Sequence, residues 1–178
     1  MLTATPYIYT MFQYITADVA SKYGSNVHYE HGHPLEIINT LKGMNKTPAY
    51  DAVKYPCIAL FQDFEEKKCT GKLIQSEVSL NLIIAALSKP DDVAPQRLTR
   101  TYIPTLYPIY DYLIESILKS GYFSAYSILD CKHTKIDRMY WGKKGLFGSE
   151  GNIFGDYVDV IEIQNLQLIV KDKTKNCI

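Results

Sequence analysis

Three histidines fall within six residues of this chain and are the first candidates for chemistry. His28, His31 and His33 lie in the sequence HYEHGH, with Glu30 between them. Imidazole nitrogens and carboxylate oxygens are ligands that transition metals accept. The spacing differs from the H-E-x-x-H pattern that places two histidines on one face of a helix, and no cysteine lies close by. We therefore expect a polar loop at the start of a helix, with no bound metal and no cofactor.

Two further sets of residues have the types needed for catalysis. Cys131 and His133 are two positions apart, which on a strand places both on one face, but a catalytic Cys–His pair is normally brought together by the fold. Asp156, Asp159 and Glu162 form a series of carboxylates. On a strand the two aspartates face opposite sides, so they cannot share a substrate. With no G-x-S-x-G elbow in the sequence either, we predict that the chain is not an enzyme.

The segment 141–155 (WGKKGLFGSEGNIFG) contains five of the ten glycines of the chain. It lacks the G-x-x-x-x-G-K-[ST] pattern of a phosphate-binding loop, and a strand pattern follows it instead of a helix. Such a glycine content disfavours a regular helix or strand. The apolar residues between the glycines nevertheless require cover from water. We therefore predict an arm that leaves the core at Trp141 and packs on a neighbouring subunit through Leu146, Phe147, Ile153 and Phe154.

Tyrosine dominates the aromatic residues, with 15 tyrosines against six phenylalanines and one tryptophan. Tyr102, Tyr107, Tyr110 and Tyr112 surround one predicted helix, which is too many for a single buried stripe. These rings either lie at the rim of the core or anchor a protein–protein interface, where tyrosine is enriched. Together with the arm, the pattern favours an interface. The predicted interface residues are Tyr102, Tyr107, Tyr110, Trp141, Leu146, Phe147, Ile153 and Phe154.

Hydrophobic periodicity predicts the elements that would position these side chains. Helical spacing covers residues 7–23, 34–41 and 96–120, and Pro104 and Pro108 should kink or split the third helix. Strand patterns cover residues 55–64, 73–87, 122–129 and 156–170. The apolar phase of the last strand shifts along its length, which implies a β-bulge or a change from two-sided to one-sided burial. The order predicts an α+β fold, with an antiparallel sheet packed against two or three helices and a long Gly-rich loop.

Length and composition set the class of the molecule. The chain has 178 residues, of which 47 % are hydrophobic, and we expect a single domain over residues 1–178. Nineteen basic residues balance nineteen acidic ones, which argues against a general nucleic-acid coat protein. Residues 1–17 are uncharged but contain several threonines, so they are too polar to span a membrane. Four scattered cysteines indicate no disulfide framework and a reduced, cytoplasmic site of synthesis.

Four segments together resemble small neck proteins of tailed bacteriophages. They are YPCIALFQDF (55–64), EVSLNLIIAAL (77–87), QRLTRTYIPTLYPIYDYLIESIL (96–118) and GDYVDVIEIQNLQLIV (155–170). This group comprises the tail-terminator and head–tail connector proteins. The resemblance is strongest to ring proteins of phages that infect Bacteroides-type hosts, including the crAss-like group.

The resemblance implies a structural virion protein: an α+β subunit without a catalytic site, forming a closed homo-oligomeric ring in the neck or tail. Its expected partners are other copies of the chain and other neck, portal or tail proteins, without a membrane. DNA passes through such a ring without sequence-specific binding, and zero net charge suits that role. The alternative is a small soluble binding protein or enzyme that uses the loop of His28, His31 and His33, or Cys131 with His133.

Overall fold

Six strands and several helices make up the part of the chain that the computed structural model describes, residues 5–69, 75–125, 127–141 and 156–170. The α-helices are α1 (Thr5–Tyr23), α2 (Pro34–Met44), α3 (Pro48–Asp51), α4 (Ala94–Arg97) and α5 (Tyr107–Lys119). A π-helical segment, Leu98–Leu106, joins α4 to α5, and a single 3₁₀ turn covers Ile128–Asp130. The strands are β1 (His28–Gly32), β2 (Cys57–Phe61), β3 (Glu65–Cys69), β4 (Gln75–Leu87), β5 (Thr134–Arg138) and β6 (Val158–Val170).

The strands form one mixed sheet in the order β1-β2-β4-β6-β5, and β3 pairs with the first part of β4. Strand β1 is parallel to β2, whereas the other pairs are antiparallel. The predicted α+β class is confirmed, but the prediction of an antiparallel sheet is corrected by β1. Its sequence, HYEHG, has no apolar alternation and predicts a loop. This segment is a strand because it pairs with β2, although its own composition does not indicate a strand.

The two long strands β4 and β6 form the centre of the sheet and contain the predicted bulge. Leu80 lies opposite Leu166 and Leu82 lies opposite Ile163, so β6 has one extra residue between these pairs. Asn165 takes up the extra length at a φ of 55°, and its N–H donates to the Asn81 side-chain oxygen at 3.0 Å. Burial of β6 also changes from both faces to one face at this point. Both predicted causes of the phase shift are therefore present.

Each face of the sheet carries its own core. On the first face, α1, the π-helical segment and α5 pack on alternate residues of the central strands, among them Leu82, Ile84 and Ile161. On the second face, α2 and Trp141 cover a smaller group that includes Ile83 and Val160. The second half of β4 and the first half of β6 are thus buried on both sides, which explains why their sequences are apolar almost without interruption.

The two prolines of the third predicted helix divide it, as expected. Pro104 lies inside the π-helical segment, and Pro108 lies in the first turn of α5, where its missing N–H is tolerated. Gly121 follows α5 at a φ of 70°. Other boundaries were wrong: within the described residues of 122–129, the predicted strand is reduced to one bridge between Phe123 and Val170. Strands β3 and β5 lie in mostly polar segments for which the periodicity predicts no strand.

Burial of hydroxyl and thiol groups makes the stability of this fold sensitive to alkaline pH. Burial is the main cause that raises the pKa of Tyr29, Tyr55, Tyr102 and Cys57. A raised pKa keeps these groups neutral in the folded state while the unfolded chain ionises above a tyrosine pKa of about 10. We expect the free energy of unfolding to fall as pH rises through that value, measured by guanidinium denaturation. Tyr55→Phe should make the fall less steep, and a pH-independent free energy in both proteins would contradict the prediction.

Candidate functional site: a surface beside strand β5

The predicted arm lies mostly outside the described residues. Trp141 is the last described residue before it, and Asp156 is the first described residue after it. Four of the eight predicted interface residues therefore fall where the structure gives no information, and their role stays a prediction. They are Leu146, Phe147, Ile153 and Phe154.

Two other predicted interface residues belong to the core of the chain itself. Tyr102 is 1 % exposed, and its hydroxyl donates to the Val160 carbonyl oxygen at 3.5 Å. Trp141 is 3 % exposed, and its indole N–H donates to Glu162 Oε1 at 3.0 Å. The chain itself already covers both side chains, because Tyr102 packs in the core of the first face and Trp141 packs with α2 in the core of the second face. A contact of these two residues with a partner stays a prediction.

Tyr107 and Tyr110 remain partly exposed and face β5. The Tyr107 hydroxyl donates to Asp137 Oδ2 at 2.9 Å, and the Tyr110 hydroxyl lies 2.8 Å from His133 Nε2. The Lys135 ammonium lies 4.7 Å from the Tyr107 ring centre and 5.4 Å from that of Tyr110, within cation–π range. We call these five residues, Tyr107, Tyr110, His133, Lys135 and Asp137, the β5 surface.

Three tyrosines around α5 lie at the rim of the core, which is one of the two interpretations of the sequence pattern, and the other, a protein–protein interface, stays a prediction. Tyr107, Tyr110 and Tyr112 pack their ring bodies against the core of the first face. Burial is the main cause that raises the pKa of Tyr107 and Tyr110, and the nearby charge of Asp137 acts in the same direction. Both phenols are thus neutral hydrogen-bonding groups whose orientation is fixed by β5.

Exposed apolar side chains continue this surface along the helix. Leu98 and Ile103 lie in the π-helical segment and are 41 % and 53 % exposed. Five residues separate Leu98 from Ile103, about one turn of a π-helix, and Ile103 is followed four residues later by Tyr107. The three side chains therefore lie along one side of the helix. An aromatic and apolar strip of this kind is typical of a contact surface.

The Cys131–His133 pair does not form a nucleophile and base. His133 Nδ1 lies 2.6 Å from the carbonyl oxygen of Cys131, not its thiol. A carbonyl oxygen only accepts, so Nδ1 carries the proton, and Nε2 accepts from Tyr110. Cys131 is 2 % exposed, and burial raises its pKa further from the range of a reactive thiolate. Both residues precede β5 in the chain, so they do not lie on a strand that would place them on one face.

The three clustered histidines have three different contacts. His28 Nε2 lies 2.8 Å from Glu30 Oε1, and the His31 ring stacks on Tyr9 at 4.5 Å between ring centres. His33 is the N-cap of α2, where its Nδ1 accepts from the Leu35 N–H at 3.3 Å. Within residues 5–69, 75–125, 127–141 and 156–170, no three His, Cys, Asp or Glu side chains converge as a metal site.

The three carboxylates of the last strand region bind three different groups. Asp156 precedes β6 and accepts from the Lys54 ammonium at 2.7 Å. Asp159 lies within β6 and accepts from Arg97 Nη1 at 2.6 Å. Glu162 accepts from Trp141 and also lies 2.7 Å from Arg138 Nε. The prediction that Asp156 and Asp159 do not act together agrees with these separate partners.

Sequence reasoning missed Arg97, which is fully buried and makes polar contacts with four other residues. Its guanidinium donates to the carbonyl oxygens of Lys89 and Asp92, both at 2.8 Å, and to Ser88 Oγ at 2.5 Å, besides Asp159. The Tyr140 ring stacks on it, with 3.6 Å between the guanidinium carbon and the ring centre. The available signal was Asp159, because a carboxylate between Val158 and Val160 in a buried strand needs a hydrogen-bonding or cationic partner.

A polar cleft of about 320 Å³ lies on the second face of the sheet, beyond the part that α2 covers. Glu65, Lys67 and Glu77 line its floor, and Asp130 and Lys132 line one wall. Charges of both signs alternate here, as on an ordinary solvated face. The cleft holds no arrangement that selects one ligand class.

No helix in the described part of the chain is long and apolar enough to cross a lipid bilayer. The sequence matches no protein-family model, and a search of the curated proteins found no relative.

Proposed function

We propose that this chain is a structural subunit of a closed homo-oligomeric ring in the neck or tail of a tailed bacteriophage, and not an enzyme. The observation that carries the proposal is the β5 surface. Tyr107 and Tyr110 are held in place by Asp137 and His133, and exposed Ile103 continues the surface along the helix. Oriented tyrosines contribute strongly to protein–protein binding because they lose little side-chain freedom on association.

The contacts of the titratable side chains also support a role in assembly. The alternative function, a binding protein or enzyme, requires the clustered histidines or Cys131 and His133 to converge on a common point. His28 instead binds Glu30, His31 stacks on Tyr9, and His133 lies between Tyr110 and the main chain of Cys131.

The phage neck or tail enters this proposal from the sequence resemblance alone. The partners it suggests are neighbouring copies of the chain and other neck, portal or tail proteins. The virion is accordingly the proposed location, with DNA passing through the ring.

Native mass spectrometry and negative-stain electron microscopy of the purified full chain test the proposal. We expect one repeated stoichiometry and closed ring-shaped particles. A single copy at every concentration up to the millimolar range would overturn the proposal.

Tyr107→Ala tests whether the β5 surface forms the subunit contact. Truncating an anchoring tyrosine should weaken each contact by about 2 kcal/mol, which corresponds to about a 30-fold loss of affinity. The loss is measured as the concentration at which rings dissociate. Tyr14→Ala is the matched control, because Tyr14 is 62 % exposed on α1 and lies outside the β5 surface. Equal assembly of both variants and the parent chain would place the contact elsewhere.

A further inference from the structure

Among the described residues, the path of paired strands β1-β2-β4-β6-β5 ends in β1 and β5, and the short strand β3 pairs with β4 beside this path. Strand β1 pairs with β2 alone, and β5 pairs with β6 alone. The outer edge of such a strand presents main-chain N–H and C=O groups that can pair with another strand. The two edges lie at opposite ends of one sheet, as the two different contact surfaces of a ring subunit require.

The hydrogen bonds of β1 identify which of its residues face outward. The His28 N–H donates to the Pro56 carbonyl oxygen at 2.8 Å, and the Gly32 carbonyl oxygen accepts from the Gln62 N–H at 3.0 Å. Main-chain groups alternate in direction along a strand, so His28, Glu30 and Gly32 face β2. The main-chain groups of Tyr29 and His31 therefore point to the outer edge.

The same alternation can be followed along the paired residues from β2 through β4 and β6 to β5. It makes the main-chain groups of Lys135 and Asp137 point away from β6, toward the outer edge of β5. Their side chains lie on the first face, because Asp137 pairs with Ile161. Tyr29 and His31 also lie on the first face, since Tyr29 pairs with Ile58. In an antiparallel pair, two residues that exchange both main-chain hydrogen bonds have their side chains on the same face of the sheet. The outward residues of β5 and β1 meet this condition, so the two edges can pair with each other.

Strand direction agrees with this pairing. Strand β1 runs parallel to β2, and three antiparallel steps lead from β2 through β4 and β6 to β5. Strands β1 and β5 therefore run in opposite directions. A ring relates its copies by rotation, and rotation about an axis roughly along the strands preserves their directions. Strand β5 of one copy then meets β1 of the next copy in antiparallel orientation.

More than one register of the β1–β5 pair keeps the side chains of the two strands on matching faces of the sheet, and charge favours one of these registers. With Asp137 opposite His31, Arg138 lies opposite Glu30, which places opposite charges across the edge. Glu30 is bound through Oε1 to His28. In the register shifted by two residues, Lys135 lies opposite His31 and no pair of opposite charges forms.

We infer that β5 of one copy pairs with β1 of the next copy, with Asp137 opposite His31, so that the sheet continues from subunit to subunit. The inference rests on the proposed ring function and specifies how its subunits join. The β5 surface lies at this junction, with Tyr107 and Tyr110 beside the new pair.

A disulfide between the two edges tests this pairing in the full chain. The variant Asp137→Cys/His31→Cys is made with Cys69 and Cys177 replaced by serine. Directly opposite residues in such a pair have Cα atoms about 5.5 Å apart, within disulfide range. Mild oxidation should give a ladder of covalent oligomers up to the ring number on a non-reducing gel, whereas each single variant should stop at the dimer.

The matched control is Lys135→Cys/His31→Cys in the same background. In the inferred register these positions are diagonal neighbours about 7–8 Å apart, beyond disulfide range. We expect at least about a tenfold lower yield of covalent oligomers. Equal ladders from both pairs, or a stronger ladder from the control, would overturn the register.

The outcomes separate the inference from the proposed function. Intact rings by native mass spectrometry without a ladder would overturn the β1–β5 pairing and leave the ring proposal standing. A parent chain that stays monomeric would overturn both. If a cysteine pair prevents folding, Glu30→Gln decides: we expect about tenfold weaker assembly from the lost charge pair, and unchanged assembly would overturn the inference.

Discussion

Replacing Arg97 with methionine should lower the free energy of unfolding by about 3–5 kcal/mol, because it leaves a buried carboxylate without its cation. Asp159 is 0 % exposed, and one of its oxygens, Oδ2, has no hydrogen-bond partner even in the parent protein. Its other oxygen accepts from Arg97 Nη1 and from the Tyr140 N–H at 3.1 Å. Chemical denaturation monitored by circular dichroism measures the loss.

The loss should extend beyond the ion pair. Arg97 also donates to the carbonyl oxygens of Lys89 and Asp92, and the Tyr140 hydroxyl donates to the carbonyl oxygen of Asp92 at 3.2 Å. One guanidinium thus fixes the connection that follows β4, the start of α4 and the turn after β5. We therefore expect Arg97→Met to lose hydrogen-exchange protection first in these three places.

Lys119→Met is the control for an exposed ion pair. Lys119 pairs with Glu115 one turn away on α5, and the two side chains are 69 % and 39 % exposed. An ion pair that water reaches on both sides should contribute far less to stability than the buried Arg97–Asp159 pair. Equal destabilisation by the two variants would show that burial does not determine how much the Arg97–Asp159 pair contributes to stability. The double variant Arg97→Met/Asp159→Leu should recover part of the loss, because it also removes the unpaired charge.

The long central elements could be predicted from the sequence because their apolar periodicity is sustained. Strands β4 and β6 and helix α1 have enough apolar residues in phase to exclude other structures. The phase shift of β6 predicts a bulge or a change of burial without its position, and the structure places the bulge at Asn165. Short edge strands lack this information. The sequences of β1 and β5, HYEHG and TKIDR, have mostly polar residues because each lies at an end of the sheet. Their strand structure depends on a neighbour that is distant in the chain.

The candidate site could be predicted only in part for a related reason. Counting tyrosines around one helix identified Tyr107 and Tyr110, which are partly exposed, but it also included Tyr102, which is buried. Periodicity of 3.6 residues does not apply through a π-helical segment, so the predicted face was displaced between Leu98 and Leu106. The partners of the two tyrosines lie in β5 and in the residue before it, where the polar sequence does not predict a strand.

Lys54→Met should lower the free energy of unfolding by about 3 kcal/mol, since it also leaves a carboxylate without its cation. Lys54 is 1 % exposed and its ammonium donates to Asp156 at 2.7 Å. It also binds Asp51 at 2.9 Å and the side-chain oxygen of Asn45. The loss should be smaller than for Arg97, because Asp156 is 17 % exposed and water can reach it. Guanidinium denaturation of the full chain measures it.

Tyr55→Phe is the control that removes one hydrogen bond to the same carboxylate and keeps the ion pair. The Tyr55 hydroxyl donates to Asp156 at 3.1 Å, and its loss should cost about 1 kcal/mol. Equal losses in the free energy of unfolding for Lys54→Met and Tyr55→Phe would show that the buried ammonium contributes no more to stability than one hydrogen bond.

The location of Lys54 connects this prediction to assembly. Its partner Asp156 is the first described residue after the Gly-rich segment, and Trp141 is the last described residue before it. The indole N–H of Trp141 donates to Glu162, and its main-chain N–H donates to the Val158 carbonyl oxygen at 3.0 Å. Both ends of the segment are therefore fixed by side chains of the subunit's own core. Lys54→Met releases one end, so ring formation should weaken even under conditions where the variant is fully folded. Native mass spectrometry below the unfolding transition measures this, and parent-like assembly of the folded variant would show that anchoring at Asp156 serves the fold alone.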